Sequence, residues 1–363
     1  MLLSNPFKKL SLFLLCCSII FSAKAAYIFI PMDESQSNHL KAYGIAFYAI
    51  EREVKVDWLL NYQGGSFMIK QHADIENECN IRGVSYQLIA DVQSTQILQS
   101  IASPEVNQDV VRLEKAPKIA IYSPNNKQPW DDAVTLALTY AEIPYEVIYD
   151  EEVLANLLPL YDWLHLHHED FTGQYGKFYA SFKNATWYKD QKIAYEKLAK
   201  KLGYNKVSEE KLAVAKKIKE FVTAGGFLFA MCSATDSYDI ALANEGNDIC
   251  QHMFDGDAAD PSAEEKLDFS KTLAFKDFTL VKNPNQYEFS SIDATQTRRV
   301  NPKIDFFTLF DFSAKWDPIP TMLCQNHMQV IKGFMGQTTA FKNQHIKSDV
   351  LIMGETKASN EAR

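Results

Sequence analysis

The chain has 363 residues, of which 47% are apolar and 23% charged, and its formal net charge is −9. Those proportions belong to an ordinary folded protein, and the length suffices for one large or two medium domains. The acidic balance lacks the basic footprint that nucleic acid or an anionic membrane surface demands, so neither is an expected partner.

Residues 1–25 read as a secretory signal peptide. Lys8 and Lys9 form a basic start, and residues 10–21 an apolar run well short of the roughly 20 residues a spanning helix needs. Ala23-Lys24-Ala25 supplies the small-residue cleavage pattern, which places the cut after Ala25. An uncleaved anchor is the alternative. No later stretch is long and apolar enough to span a membrane, so no stable span is expected after cleavage. The mature protein is then exported, periplasmic or extracellular. That compartment permits disulfides. Cys79, Cys232, Cys250 and Cys324 remain, too few for a disulfide framework in so long a chain, and no C-x-x-C pair points to zinc. At most one or two bridges are expected, and no cofactor is indicated.

Residues 26–112 read as a small α/β unit. Residues 27–31 form a strand, and Leu40, Tyr43, Phe47 and Ile50 fall three and four apart on one helical stripe. Residues 56–62 are a second strand, broken by Gln63-Gly64-Gly65-Ser66, and residues 84–90 a further one. The glycine pair is read as a plain turn, since it matches no phosphate-loop spacing. A polar stretch, residues 103–108, marks the join to the next unit.

Residues 113–363 read as a larger α/β domain. Strands at 118–122, 145–149, 163–167 and 227–231 alternate with helices at 131–141, 151–158 and one capped by Ser208. Glu209 and Glu210 in the first turn of that last helix, with lysines later, suit its dipole. Residues 236–243 are helical again. Such alternation gives βαβ crossovers and a doubly wound, mostly parallel sheet, which binds ligands beyond the carboxyl ends of its strands. Residues 247–300 are polar and acidic and read as a surface insertion. Three carboxylates in Asp255-Gly256-Asp257-Ala258-Ala259-Asp260 lack EF-hand spacing, so a solvated loop is expected there.

Two strand ends carry chemistry. Cys232 follows an apolar strand, read as buried, and precedes a helix, in Ala230-Met231-Cys232-Ser233-Ala234. A nucleophile on so sharp a turn needs small neighbours two residues either side. The helix N-terminus would lower its thiol pKa and the Ser233 amide would face an oxyanion. The bland alternative is a structural cysteine. The second end is His165-Leu166-His167-His168-Glu169-Asp170. Alternation puts His165 and His167 on one face of a strand, with His168 and Glu169 in the loop beyond. These groups could serve Cys232 as general base, hold a zinc-type ion through His165, His167 and Glu169, or form a hydrogen-bonded polar cluster.

With those residues in view, residues 117–245 resemble the class I glutamine amidotransferase-like fold, in which a cysteine sits on a strand-to-helix elbow. Cys232 takes that position, and the loop after residues 163–167 takes the place of the family's oxyanion loop. The resemblance implies a Cys-dependent enzyme acting on a small-molecule amide, with Cys232 as nucleophile, His168 or His167 as base and Glu169 as orienter. The usual elbow glycines are Ala230 and Ala234 here, and no His-x-Glu follows Cys232. His252, His327 and His345 are the later histidines. The wording Pro31-Met32-Asp33-Glu34, Trp58-Leu59-Leu60-Asn61-Tyr62 and residues 165–173 is also similar to an exported bacterial family labelled asparagine synthetase B. A synthetase of that name needs a cysteine at position 2, which is Leu2 here, and a glycine-rich pyrophosphate loop. The nearest stretch, Ser233-Ala234-Thr235-Asp236-Ser237, has no glycine. A non-catalytic envelope binding or scaffold protein on the same fold is the other reading.

Overall fold

The computed structural model describes residues 25–124, 133–294, 303, 306–309, 313–316, 330–332, 339–356 and 361. Apart from Ala25 the expected leader lies outside them, as do Cys324 and His327. Among the described residues no helix is long and apolar enough to cross a membrane. The protein is mixed α/β and divides into two compact units: Met1–Glu114 with Ser313–Gln325, and Lys115–Phe312 with Asn326–Arg363.

The first unit contains β1 (Ala25–Ile30), α1 (His39–Glu51), β2 (Val56–Leu60), β3 (Ser66–Lys70), α2 (Ala73–Arg82), β4 (Gln87–Ala90), α3 (Asp91–Ala102) and β5 (Asp109–Leu113). Its five strands run in the order β4-β1-β3-β2-β5, and every pairing is antiparallel. Helix α3 packs on β1, β4 and β5, where Phe29, Leu59, Met68, Ile89 and Ile101 form one cluster. Helix α1 starts where Asn38 Oδ1 accepts the Lys41 amide at 3.1 Å. The expected stripe on α1 holds in part: Ile50 is buried and Tyr43 packs edge-on against Phe67, but Leu40 is 45% exposed, and Ala42, Ile45, Ala46 and Ala49 are buried as well. Small residues let the helix lie close to its neighbours, so the buried face includes three alanines beside Ile45 and Ile50. Gly64 is required by approach as well as by turning. Its φ is +76°, and a Cβ there would sit 2.3 Å from the Met32 carbonyl oxygen.

The second unit opens with β6 (Ile119–Tyr122), α4 (Ala133–Ala141), β7 (Glu146–Ile148), α5 (Asp150–Leu154) and β8 (Trp163–Leu166). It continues through α6 (Tyr179–Phe182), α7 (Thr186–Lys201), α8 (Val207–Thr223), β9 (Phe227–Ala230), α9 (Ser233–Ala243) and α10 (His252–Asp255). Strands β10 (Phe306–Leu309), β11 (Val330–Lys332) and β12 (Gly354–Thr356) form a separate three-stranded antiparallel sheet. The four-stranded sheet runs β7-β6-β8-β9 and is parallel throughout. On one face Ala120, Tyr122, Ile148, Leu164 and Leu166 meet Val153 of α5, Val214 and Ile218 of α8, and Tyr238 and Leu242 of α9. On the other, Ile119, Ile121 and Trp163 meet Val134 and Leu138 of α4.

Three expectations change here. Strand β9 is not buried on both faces, since Phe227 and Phe229 are 47% and 40% exposed. Helix α8 begins at Val207 with Lys206 at its N-cap; Glu209, rather than Ser208, binds the flanking amides of Asn205 and Lys206 at 3.2 and 3.3 Å. Residues 247–300 are more than a polar surface insertion, because Ile249, Ala263, Phe275, Phe278, Phe289 and Ile292 form a core with Ile240 and Ala243 of α9. Asp239 fastens it by accepting the amides of Leu273, Ala274 and Phe275 at 2.7–2.9 Å. In the acidic stretch a lysine supplies the positive charge: Lys206 Nζ pairs with Asp248, Asp255 and Asp257 at 2.5–3.0 Å.

Candidate functional site

Strands β8 and β9 are parallel neighbours, with Leu166 beside Ala230. Their carboxyl ends therefore lie side by side, and the two motifs singled out in the sequence follow them directly. The Met231 amide still donates to the Leu166 carbonyl at 2.9 Å. One residue on, Cys232 turns the chain into α9 with φ 53° and ψ −142°. A non-glycine residue in that region costs on the order of 1–3 kcal/mol, and such strain clusters at functional sites. It is the backbone a nucleophile elbow requires, because it pushes the side chain out of the turn. Ala234 is fully buried behind it, in keeping with the crowding that small neighbours relieve.

The loop after β8 is tied to the same helix. Ser233 Oγ donates to the His168 carbonyl at 2.8 Å. Ser237 Oγ donates to the Glu169 carbonyl at 3.1 Å and accepts the Phe171 amide at 3.3 Å. The fold thus brings Cys232 together with the segment that carries His167, His168 and Glu169. Within that segment the Nδ1 atoms of His167 and His168 lie 3.1 Å apart, and Glu169 Oε2 accepts the His167 amide at 3.0 Å.

His165 lies behind this group, its ring 6.1 Å from that of His167. It is fully buried on the opposite face of the sheet from Leu164 and Leu166, with its ring stacked on Phe229 at 5.5 Å. Among the described residues His165, His167 and Glu169 are not gathered at ligating distance, and the Glu169 carboxylate accepts the His167 amide. Among the described residues the side chains that cluster at ligating distance are Asp248, Cys250 and Asp255, and Lys206 already faces both of those carboxylates. Cys79, Cys232 and Cys250 are all free thiols.

The electrostatics of Cys232 run against the sequence expectation. Burial pushes the thiol up to about 11, and the charges of Asp236 and Glu169 add to it, while a hydrogen bond from the Ser233 amide opposes them. The helix N-terminus does not win: removal from water and two carboxylates outweigh one amide. At rest the group is a thiol, so any attack needs a base that takes its proton as the bond forms.

Sequence reasoning missed the groups around this loop. Gly173, Tyr175, Gly176 and Lys177 all have left-handed φ between 53° and 82°. The loop curls about Asp170, which accepts the amides of Thr172 at 2.7 Å and Gly176 at 3.0 Å. Lys177 is buried and donates to the Val281 carbonyl at 2.7 Å. Burial pulls its ammonium down to about 8, against the attraction of Asp170 and Glu288. Tyr287 packs on Phe178; burial raises its phenol, and the charges of Cys232, Asp293 and Glu288 raise it further. Nothing local marks these residues, because the backbone fold delivers them from separate segments. Of the later histidines, His345 is held by Ser291 Oγ at 2.9 Å and the Lys276 carbonyl at 3.3 Å, and His252 lies on α10.

In comparisons with known proteins the chain matches no family model, no curated protein and no solved structure.

Proposed function

We propose that this is an exported, Cys-dependent enzyme on a doubly wound, class I glutamine amidotransferase-like fold, cleaving the amide of a small molecule. The observation that carries the reading is the strained φ/ψ of Cys232 at a strand-to-helix elbow. In the reaction the Cys232 sulfur attacks the amide carbonyl while His168, or His167 beside it, accepts the thiol proton. The Ser233 amide at the start of α9 stabilises the developing oxyanion. Glu169 orients the imidazole. The same base returns its proton to the departing ammonia or amine, and water then hydrolyses the thioester. A protonated resting thiol suits concerted base catalysis of this kind, in which no free thiolate is needed.

The raised thiol pKa and the alanines beside the elbow favour a second reading, a non-catalytic envelope binding or scaffold protein on the same fold. An ATP-dependent asparagine synthetase is not proposed, because the glycine-free loop at Ser233 does not supply its phosphate cradle.

Covalent trapping separates the two readings. A chloroketone amide analogue, followed by peptide mass spectrometry, is expected to label Cys232 and to spare Cys79 and Cys250. His168→Ala should slow labelling by about 10²–10⁴-fold, the usual contribution of a general base. If Cys232 of the native protein stays unlabelled while the denatured chain is labelled, and no amide tested releases ammonia, the enzyme reading fails.

A further inference from the structure

The core that residues 247–300 form with α9 also takes in Phe341 and Ile346, so it brings Ser291 and His345 together from distant parts of the chain. Ser291 Oγ lies 2.9 Å from His345 Nε2, the reach expected of a nucleophile and its base. The other ring nitrogen, Nδ1, donates to the Lys276 carbonyl at 3.3 Å. A carbonyl only accepts, so that contact assigns the ring proton to Nδ1 and leaves the Nε2 lone pair for a donor. Ser291 Oγ in turn accepts the Thr279 amide at 3.0 Å, which turns its own proton toward His345. These contacts set one direction of proton transfer, from Ser291 to His345.

Backbone bonds hold the segments to one another. The Lys276 amide donates to the His345 carbonyl at 2.8 Å, and the Ser291 amide to the Thr279 carbonyl at 2.9 Å. Asp277, next to the orienting carbonyl, has a left-handed φ of 53°, and such strain gathers at functional sites. Burial holds the imidazole below its usual range, and Lys342 adds to that, against backbone contacts with Lys276 and Asp277 and the charge of Asp277. The ring is therefore a neutral base at neutral pH. His345 is buried, but Ser291 is half-buried and Thr279 and Gln344 are exposed, so the pair lies near the surface. Gln344 Nε2 stands 3.2 Å from His345 Nε2. Two donors thus converge on one lone pair, one more than a structural tie between segments needs.

We propose that Ser291 and His345 form a second nucleophilic site, which hydrolyses small carboxylic esters. Ser291 Oγ bonds to the ester carbonyl carbon while His345 Nε2 takes the hydroxyl proton. Gln344 Nε2 turns from the ring to the oxyanion. The ester C–O bond then breaks, and His345 returns the proton to the departing alkoxide. Water, deprotonated by the same nitrogen, cleaves the acyl-serine and releases the acid. The orienting group is a neutral carbonyl and not a carboxylate, so the imidazolium formed is less stabilised than in a full triad. Esters suit such a pair, because an alkoxide departs more readily than an amine anion. The site shares no residue with the one proposed at Cys232 and does not rest on that reading.

A fluorophosphonate probe, which bonds to activated serine hydroxyls with loss of fluoride, tests the proposal. It is applied to the whole chain carrying Cys232→Ala, so that no reaction comes from that thiol, and read by peptide mass spectrometry beside the hydrolysis of nitrophenyl acetate. Ser291 is expected to carry the label, and Ser291→Ala to lose both label and turnover. His345→Gln should slow both by about 10²–10⁴-fold. Gln344→Ala changes an exposed side chain, so its melting curve should not move while ester turnover falls by about 10²-fold. The proposal is overturned if Ser291 of the folded chain stays unlabelled or if no ester is hydrolysed. It is also overturned if Gln344→Ala or His345→Gln, with its melting curve intact, turns over ester at the parent rate. Label at Ser291 in a protein whose Cys232 neither labels nor releases ammonia leaves this site standing and removes only the other.

Discussion

Cys232 holds a backbone conformation, φ 53° and ψ −142°, that glycine adopts without a Cβ penalty. Cys232→Gly is therefore expected to raise the unfolding free energy read by chemical denaturation, by about 1 kcal/mol net of glycine's own entropy cost, while removing all covalent labelling at that position. A fall in stability would mean that the side chain, and not the turn, sets the local energetics. The position was legible in the sequence because an apolar strand, a short polar break and a helix leave one residue at the corner. Its titration was not legible. Sequence places a helix N-terminus beside the thiol, but it does not show how far Glu169 and Asp236 approach or how much water is removed. Tyr175 and Lys177 were hidden for a related reason. Neither residue type advertises a left-handed φ, and the amides that Asp170 gathers impose that geometry from outside.

Elements were read well where periodicity was strong and poorly where contacts were long-range. The alternation of apolar strands with helices between residues 118 and 243 identified β6, β7, β8 and β9 in their places. It could not show which half of β9 would be covered, because Phe227 and Phe229 look alike whether a helix lies over them or not. The stripe on α1 was read in part, through Ile50 and Tyr43, but favouring bulk over fit put Leu40 on it and left out Ala42, Ala46 and Ala49, which also pack. In residues 247–300 the buried phenylalanines are too widely spaced to show any period, and their core depends on a carboxylate from another element. Asp239→Asn exchanges one acceptor oxygen for a donor facing three amides, leaving a buried amide without its partner. The expected cost is about 1–3 kcal/mol, with residues 270–290 becoming the first proteolytic cut. Limited proteolysis with mass mapping checks this, and an unchanged cleavage pattern would show that the hydrophobic cluster alone holds the segment.

Two buried groups predict how the whole molecule responds to pH. Burial raises the Glu210 carboxyl to about 8, against the pull of Lys211 and with Asp150 adding to the rise. Between about 4, where an unfolded glutamate titrates, and about 8, the folded state keeps a proton that the unfolded chain releases. Stability from this group is present in acid and declines as pH rises through that window. Lys177 acts in the next window. From about 8 to roughly 10.4 in the unfolded chain, the folded state has lost a proton that the unfolded chain retains, so stability recovers as pH rises. Together they place a minimum in melting temperature near pH 8. Glu210→Gln should flatten the descending limb and Lys177→Met the ascending one. A melting profile that climbs steadily from pH 5 to 8 would contradict the assignment to Glu210.

The return of the chain at Ser313 bears on the order of events during synthesis. The Ala314 amide bonds Asn107 Oδ1 at 2.6 Å, and Lys315 Nζ reaches the carbonyls of Ile101 and Ser103, at 3.1 and 2.5 Å, where α3 ends. A ribosome releases Ile101 and Ser103 about two hundred residues before it releases Lys315, and domains generally fold in the order they are made. Here the earliest unit to emerge must wait, its last helix end unanswered, until nearly all of the second has been threaded out.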